Sequence, residues 1–229
     1  MNLEFSIVIP IFNEKENIEL LIIEIINNIK KNINFEIIII DDGSTDGSKE
    51  VCYNLTKKYK NTYAFHHPEN LGQSKAIHTG VINSNFNRII TLDGDGQNNP
   101  IDINNLINEF TIHNLDLIGG LRLNRKDNLW KIISSKIANW VRRIILQDDC
   151  LDTGCSLKIF FKKKYLKIPF FDGNHRFLPA LFKGFGFKTK FIPVDHRKRI
   201  KGYSKYGTID RMIKGIKDIL LVKKIISNK

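Results

Sequence analysis

Apolar residues fall along the chain in two alternating rhythms. Phe5–Pro10 is a short β-branched run closed by proline, which predicts a buried strand. Residues 15–31 follow with Ile18, Leu21, Ile22, Ile25, Ile26 and Ile29 at helical spacing, the pattern of an amphipathic helix. Phe35–Ile40 predicts a second buried strand that stops at Asp41-Asp42-Gly43-Ser44. Ser44 or Thr45 is expected to cap a helix running to about Tyr59. Tyr63–Phe65 reads as a short third strand, Asn70-Leu71-Gly72 as a turn into a helix through Val81, and Arg88–Leu92 as the next strand. Strands alternating with helices predict an α/β fold with a largely parallel sheet. Beyond about residue 120 the alternation is less regular, and there is no internal repeat.

The polar clusters sit where these strands end. Asn13-Glu14, Asp41-Asp42 and Asp93/Asp95 each follow an apolar run, and ligands of parallel α/β sheets bind at the carboxyl ends of strands. In Asp93-Gly94-Asp95-Gly96-Gln97, two carboxylates and an amide at alternate positions can turn three oxygen ligands toward one hard cation such as Mg²⁺ or Mn²⁺. A capped surface turn is the plainer reading of the same residues. An EF-hand does not fit, because no twelve-residue loop with a closing glutamate follows. Nor is Asn70-Leu71-Gly72-Gln73-Ser74-Lys75 a Walker A loop, since the Gly-Lys-Ser/Thr ending is missing.

Composition adds charge to this picture. The 229 residues suffice for one domain with a full core. Thirty-six Lys and Arg against 24 Asp and Glu leave a net charge of +12, which implies anionic partners, although abundant Ile, Asn and Lys also suit an AT-rich coding bias. Cys52, Cys150 and Cys155 are too few for a disulfide framework and lack zinc-site spacing, so reduced structural thiols in a cytoplasmic protein are expected. The N-terminus runs straight into the first strand with no secretory pattern, and no apolar stretch reaches the ~18–20 residues of a membrane-spanning helix.

Several motifs occur in a telling order: Ile7-Val8-Ile9-Pro10-Ile11-Phe12-Asn13-Glu14, IIIIDDGSTDGS, NLGQSKAIHTG, LDGDGQ, Asp152-Thr153-Gly154-Cys155-Ser156-Leu157-Lys158, Asp172-Gly173-Asn174-His175-Arg176-Phe177 and HRKRIKGYSKYG. Together they resemble family 2 glycosyltransferases, most closely the dolichol-phosphate mannosyltransferase or polyprenyl-phosphate type, over nearly the whole chain. The resemblance implies a GT-A fold, Rossmann-like and single-domain, that binds a nucleotide-sugar and Mg²⁺ or Mn²⁺. It implies that Pro10, Phe12, Glu14 and Asp42 hold the nucleobase and ribose, that Gly72 and Lys75 lie near the nucleotide, and that Asp93, Asp95 and Gln97 bind metal and diphosphate. Gln73 stands where the family often carries lysine. Arg199, Ser204 and Lys205 match a family pattern expected to close over the diphosphate.

On the acceptor side, Arg122 matches a family arginine just after a strand. Lys131, Ser135 and Asn139 are spaced to share one helix face, where they could grip a lipid phosphate or simply meet solvent. The family usually has arginine at position 131. A hydroxyl acceptor wants a general base, whereas a phosphate acceptor is already anionic. Asp172 is the only carboxylate in the motif where many inverting relatives keep a base, and Asp152 is the other candidate. The implied activity is inverting transfer of a hexose from a GDP- or UDP-sugar to a polyprenyl or dolichyl phosphate. Transfer to a saccharide hydroxyl and a basic nucleic-acid-binding module are the alternatives. The second is disfavoured, because acidic strand ends repel phosphate and no nucleic-acid motif appears.

Residues 1–208 are expected to form the catalytic domain, and 209–229 a basic amphipathic helix. Residues 195–229 carry eleven Lys and Arg against three Asp, with Ile209, Met212, Ile213, Ile216, Ile219 and Leu220 on a helical stripe. Such a helix can lie on an anionic membrane surface, making the protein peripheral on the cytoplasmic face, or pack on the domain.

Overall fold

A computed structural model describes residues 3–122, 139–198 and 208–229. In chain order its elements are β1 (Leu3–Ile11), α1 (Ile18–Asn28), β2 (Ile33–Asp41), α2 (Ser48–Lys58), β3 (Thr62–His66), α3 (Gln73–Ile82), β4 (Arg88–Thr91), α4 (Asp102–Ile112) and β5 (Leu117–Arg122). They continue with α5 (described over residues 139–146), β6 (Lys158–Phe161), α6 (Lys162–Tyr165), α7 (Asn174–Gly184), β7 (Thr189–Val194) and α8 (Thr208–Ser227). The seven strands form one sheet in the order β3-β2-β1-β4-β6-β5-β7. All neighbours run parallel except β6, which is antiparallel to both β4 and β5.

The strand sequences dictate a sheet covered on both faces. Ile7 and Ile9 of β1, with Ile37 and Ile39 of β2, pack into one core under α1, α2 and α4. Val8, Ile38 and Ile40, the alternate positions, pack into a second core under α3, α7 and α8. Period-two alternation thus puts apolar residues on both faces, as a central parallel strand requires. Pro10 fits inside β1 because the ladder to β4 has already ended at Val8↔Thr91, so on that edge no N–H is missed. The chain order reverses at β1, with β2 on one side and β4 on the other, which opens a crevice at their carboxyl ends.

One expectation is corrected. Neither Ser44 nor Thr45 caps α2. That helix starts at Ser48 behind Gly47, because Ser44 Oγ accepts the Asn13 N–H (2.8 Å) and the Thr45 N–H donates to Asn13 Oδ1 (2.7 Å), tying the turn to the end of β1 instead. On α8, Ile219 is buried with Val222 in the core shared with α7, whereas Ile216 and Leu220 are exposed. Ile209, Met212 and Ile213 lie outside the described side chains.

Candidate active site

The Asp93–Gln97 loop leaves β4 at the crevice. The Asp93 N–H donates to Asn98 Oδ1 (3.3 Å) and Ser156 Oγ (3.2 Å), and Ser156 donates onward to Asn98 (2.6 Å). Asp95 is buried, and its Oδ1 accepts the Gln97 N–H at 3.1 Å. Gly94 is required by contact, since a Cβ there would lie 2.4 Å from Ile11 Cγ2. The loop is thereby pressed against the end of β1. Gln97 directs its amide nitrogen to the Arg197 carbonyl (3.3 Å), and Arg197 returns its N–H to Gln97 O (2.9 Å). The segment leading to residues 199–207 is therefore anchored on this loop.

Burial and the adjacent Asp95 push the Asp93 carboxyl up to about 6, against the pull of Ser156, Lys158 and Arg122. Two carboxylates held together in protein surroundings, both hard oxygen donors, suit a divalent cation. Among the described residues no group of three or more His, Cys, Asp or Glu side chains could hold a metal ion. The pair therefore suits a cation that draws its remaining ligands from a diphosphate and water, as Mg²⁺ commonly does.

Of the expected nucleotide residues, Pro10 is buried in β1, Phe12 is half-buried just beyond it, and Glu14 is buried, accepting from Asn17 Nδ2 at 2.6 Å. Asp42 is engaged by the protein itself. Its Oδ1 accepts the Leu71 N–H (3.0 Å) and meets His67 Nδ1 (2.6 Å), and its Oδ2 accepts the Gly72 N–H (2.8 Å). Gly72 takes φ 89° and ψ 154°, a region essentially confined to glycine, and from it α3 starts. Lys75 is exposed one residue pair on, its Nζ 5.7 Å from the Phe170 ring centroid.

Arg122 closes β5 and forms a bidentate pair with Asp152, Nε to Oδ2 at 2.7 Å and Nη2 to Oδ1 at 2.8 Å, while its own N–H also reaches Oδ2 (3.3 Å). The side chains are only 13% and 10% exposed, so this is a desolvated pair rather than a surface one. Lys158 is buried on β6 with its ammonium on the Cys155 carbonyl; burial pushes its pKa down, against the opposing influence of Cys155, Cys150, Asp93 and Asp152. Asn139 accepts from Arg142 Nη1 (2.7 Å) and Thr153 Oγ1 (3.1 Å). Lys131, Ser135, Arg199, Ser204 and Lys205 lie outside the described residues.

The sequence profile described as glycosyl transferase family 2 matches residues 6–178. The chain belongs to glycosyl transferase family 2. Within that family it is 35% identical to the dodecaprenyl-phosphate galacturonate synthase of Rhizobium johnstonii, over 96% of this chain and 67% of that one. It is 32% identical to the undecaprenyl-phosphate 4-deoxy-4-formamido-L-arabinose transferase of Pectobacterium carotovorum, over 94% and 66%. The chain thus spans about two thirds of the length of these curated relatives. The fold is that of GT-A glycosyltransferases. It superimposes with a TM-score of 0.72 on the glucosyl-3-phosphoglycerate synthase of Mycobacterium tuberculosis in complex with Mn²⁺, UDP and glucosyl-3-phosphoglycerate, at 14% identity, covering 96% of this chain and 78% of that one. The match to S. aureus TarS in complex with UDP-GlcNAc has a TM-score of 0.66 at 16% identity, covering 96% and 66%.

Four features of this family 2 glycosyltransferase site were not assigned by reading the sequence. Gln73 Nε2 donates to Asp93 Oδ1 at 2.6 Å, Asn98 and Ser156 fix the Asp93 backbone, and Lys158 sits buried beside the carboxylates. His67 bridges Asp42 and Thr79. Gln73, Ser156 and Lys158 lay within the quoted motifs, but no spacing rule ties residues 20 or 63 positions from Asp93 to its carboxylate or backbone.

Proposed function

We propose that this chain transfers a sugar from a nucleotide-sugar to a polyprenyl phosphate with inversion at the anomeric carbon. The observation that carries the reading is the Arg122–Asp152 pair beside the Asp93 loop. Asp152 binds the Nε/Nη2 edge of the guanidinium with both of its oxygens, which makes it an orienting partner and not a general base. Arg122 in turn lies near enough to Asp93 to temper its raised pKa, so a fixed cation stands at the edge of the diphosphate site. That arrangement favours an acceptor that arrives already anionic. The named relatives, both synthases or transferases of polyprenyl-phosphate sugars, support the same acceptor class.

A phosphate oxygen of the lipid attacks the anomeric carbon, the bond to the nucleoside diphosphate breaks, and its electron pair leaves with the diphosphate; no proton has to move. Arg122 holds the incoming phosphate, with Lys131 and Ser135 proposed to complete its grip, so that catalysis is chiefly positioning and electrostatics. Pro10, Phe12, Glu14, Gly72 and Lys75 line the nucleotide side, and Asp42 acts there by holding the Asn70–Gly72 turn. Arg199, Ser204 and Lys205 are proposed to close over the diphosphate. Mg²⁺ or Mn²⁺ on Asp93 and Asp95, with Gln97 beside them, would neutralise charge developing on the leaving group.

Among the described residues no helix is long and apolar enough to cross a membrane. On α8, Ile219 and Val222 face the core while Ile216, Leu220 and Leu221 stand exposed among Lys217, Lys223 and Lys224. We read this outer face as a peripheral contact with the anionic cytoplasmic leaflet, where the acceptor resides. The test of the whole reading is incubation with a panel of nucleotide-sugars, Mn²⁺ and polyprenyl phosphate. Formation of a polyprenyl-phosphate sugar, detected by mass spectrometry, is expected, and its absence with every donor would refute it.

A further inference from the structure

The first turn of α3 is pinned from two sides. Behind it, Asp42 accepts the N–H groups of Leu71 and Gly72, and His67 holds Asp42 while reaching Thr79 with its other nitrogen (3.0 Å). On the other side, buried Ser74 Oγ accepts the Gly173 N–H (2.8 Å) and meets His175 Nδ1 (2.5 Å), which fastens the turn to the start of α7. Between these anchors stands Gln73. Its Nε2 lies 2.6 Å from Asp93 Oδ1 and 20 residues away in sequence. The amide must present its NH₂ group there, because an ionised carboxylate has no proton to offer. A long side chain on an anchored base, with one short bond, has few alternative poses.

We propose that Gln73 is a positioning residue for the metal: it caps Oδ1 of Asp93 and fixes the plane of that carboxylate, which would be a ligand of the cation. Partners of this kind, one shell out from a ligand, set ligand orientation and typically change metal affinity by about 10- to 100-fold. An amide does so without cancelling charge. A lysine at the same position would also donate a hydrogen bond, but its positive charge would oppose the cation that the Asp93–Asp95 pair is suited to attract. The inference rests on the metal-assisted reading above.

The test measures Mn²⁺ binding directly, by the loss of the free-ion EPR signal, on the full chain with saturating UDP and, separately, GDP. Gln73→Met keeps the volume and removes the donor, and it is expected to weaken Mn²⁺ binding by about 10- to 100-fold. Turnover should fall at limiting Mn²⁺ and recover in excess Mn²⁺, with KM for polyprenyl phosphate unchanged. Gln73→Asn keeps an amide one methylene short, and the same weakening is expected, so a folding defect in either variant does not decide the outcome. Mn²⁺ affinity within twofold of wild type in a folded variant would overturn the assignment of Gln73. Failure of the wild-type chain to bind Mn²⁺ with either nucleotide would instead overturn the metal reading on which it rests.

Discussion

Asp93→Asn isolates the electrostatic state of the site without its metal. In the native protein burial and Asp95 raise this carboxyl from 3.8 to about 6. At about 1.36 kcal/mol per pH unit, that rise corresponds to about 3 kcal/mol. Part of the Asp93 surface stays accessible to water, so about 3 kcal/mol is a ceiling. The sign follows from linkage. Below about pH 4 the carboxyl is protonated in both native and unfolded states and costs nothing. Between about pH 4 and 6 the unfolded state ionises while the native state does not, so native stability declines with pH, and above about 6 the penalty is constant. Asparagine never pays this penalty and can still pair with the Gln73 amide by rotating it. Urea denaturation with Mn²⁺ and Mg²⁺ chelated should therefore show the variant more stable than wild type at pH 8, by up to about 3 kcal/mol, and nearly equal to it at pH 4. Adding Mn²⁺ at a fixed nucleotide concentration should then stabilise wild type further and leave the variant unmoved. A variant no more stable than wild type at pH 8, or one still stabilised by Mn²⁺, would refute the reasoning.

Asp152→Ala leaves the Arg122 guanidinium desolvated and unpaired, and a loss of about 3–5 kcal/mol is expected in urea denaturation. The double variant Arg122→Met/Asp152→Leu should recover most of that stability and remain inactive, which separates folding from phosphate binding. Burial pushes the thiols of Cys52 and Cys150 up to about 12 and that of Cys155 upward as well, so the native chain should not react with DTNB at pH 8, whereas all three thiols should titrate after unfolding. Leu220→Asp with Leu221→Asp should reduce flotation with anionic liposomes without changing thermal stability, because both side chains already face outward; unchanged flotation would remove α8 from the membrane contact.

The central architecture was legible because its signals are local. The Ile-rich runs of β1 and β2 and the spacing of Ile18, Leu21, Ile22 and Ile25 in α1 each specify one element and its buried faces. Their alternation puts Asp93, Asp95, Asp42 and Glu14 at the carboxyl edge of the sheet. β6 was not legible as antiparallel, since Lys158–Phe161 is four residues long and carries no sign of direction; it is set by its neighbours β4 and β5. The partners of site residues were hidden for a related reason. Arg122 meets Asp152 across 30 positions, and Asp42 meets His67 and Gly72 across 25 and 30, which are tertiary distances with no period to reveal them. Asp42 shows the consequence: a family motif marks the residue as part of the nucleotide site, but only the fold shows that its carboxylate holds a turn.

The central claim is transfer to a phosphate that needs no base. The most direct measurement supplies the chain with one productive nucleotide-sugar and compares polyprenyl phosphate with the matching polyprenol as acceptor across pH 6 to 9. Product is expected with the phosphate only, with inverted anomeric configuration and no rate step that follows deprotonation of a carboxyl base. Transfer to the free alcohol, or a rate that rises with such a group and vanishes in Asp152→Asn while Arg122 remains in place, would contradict it.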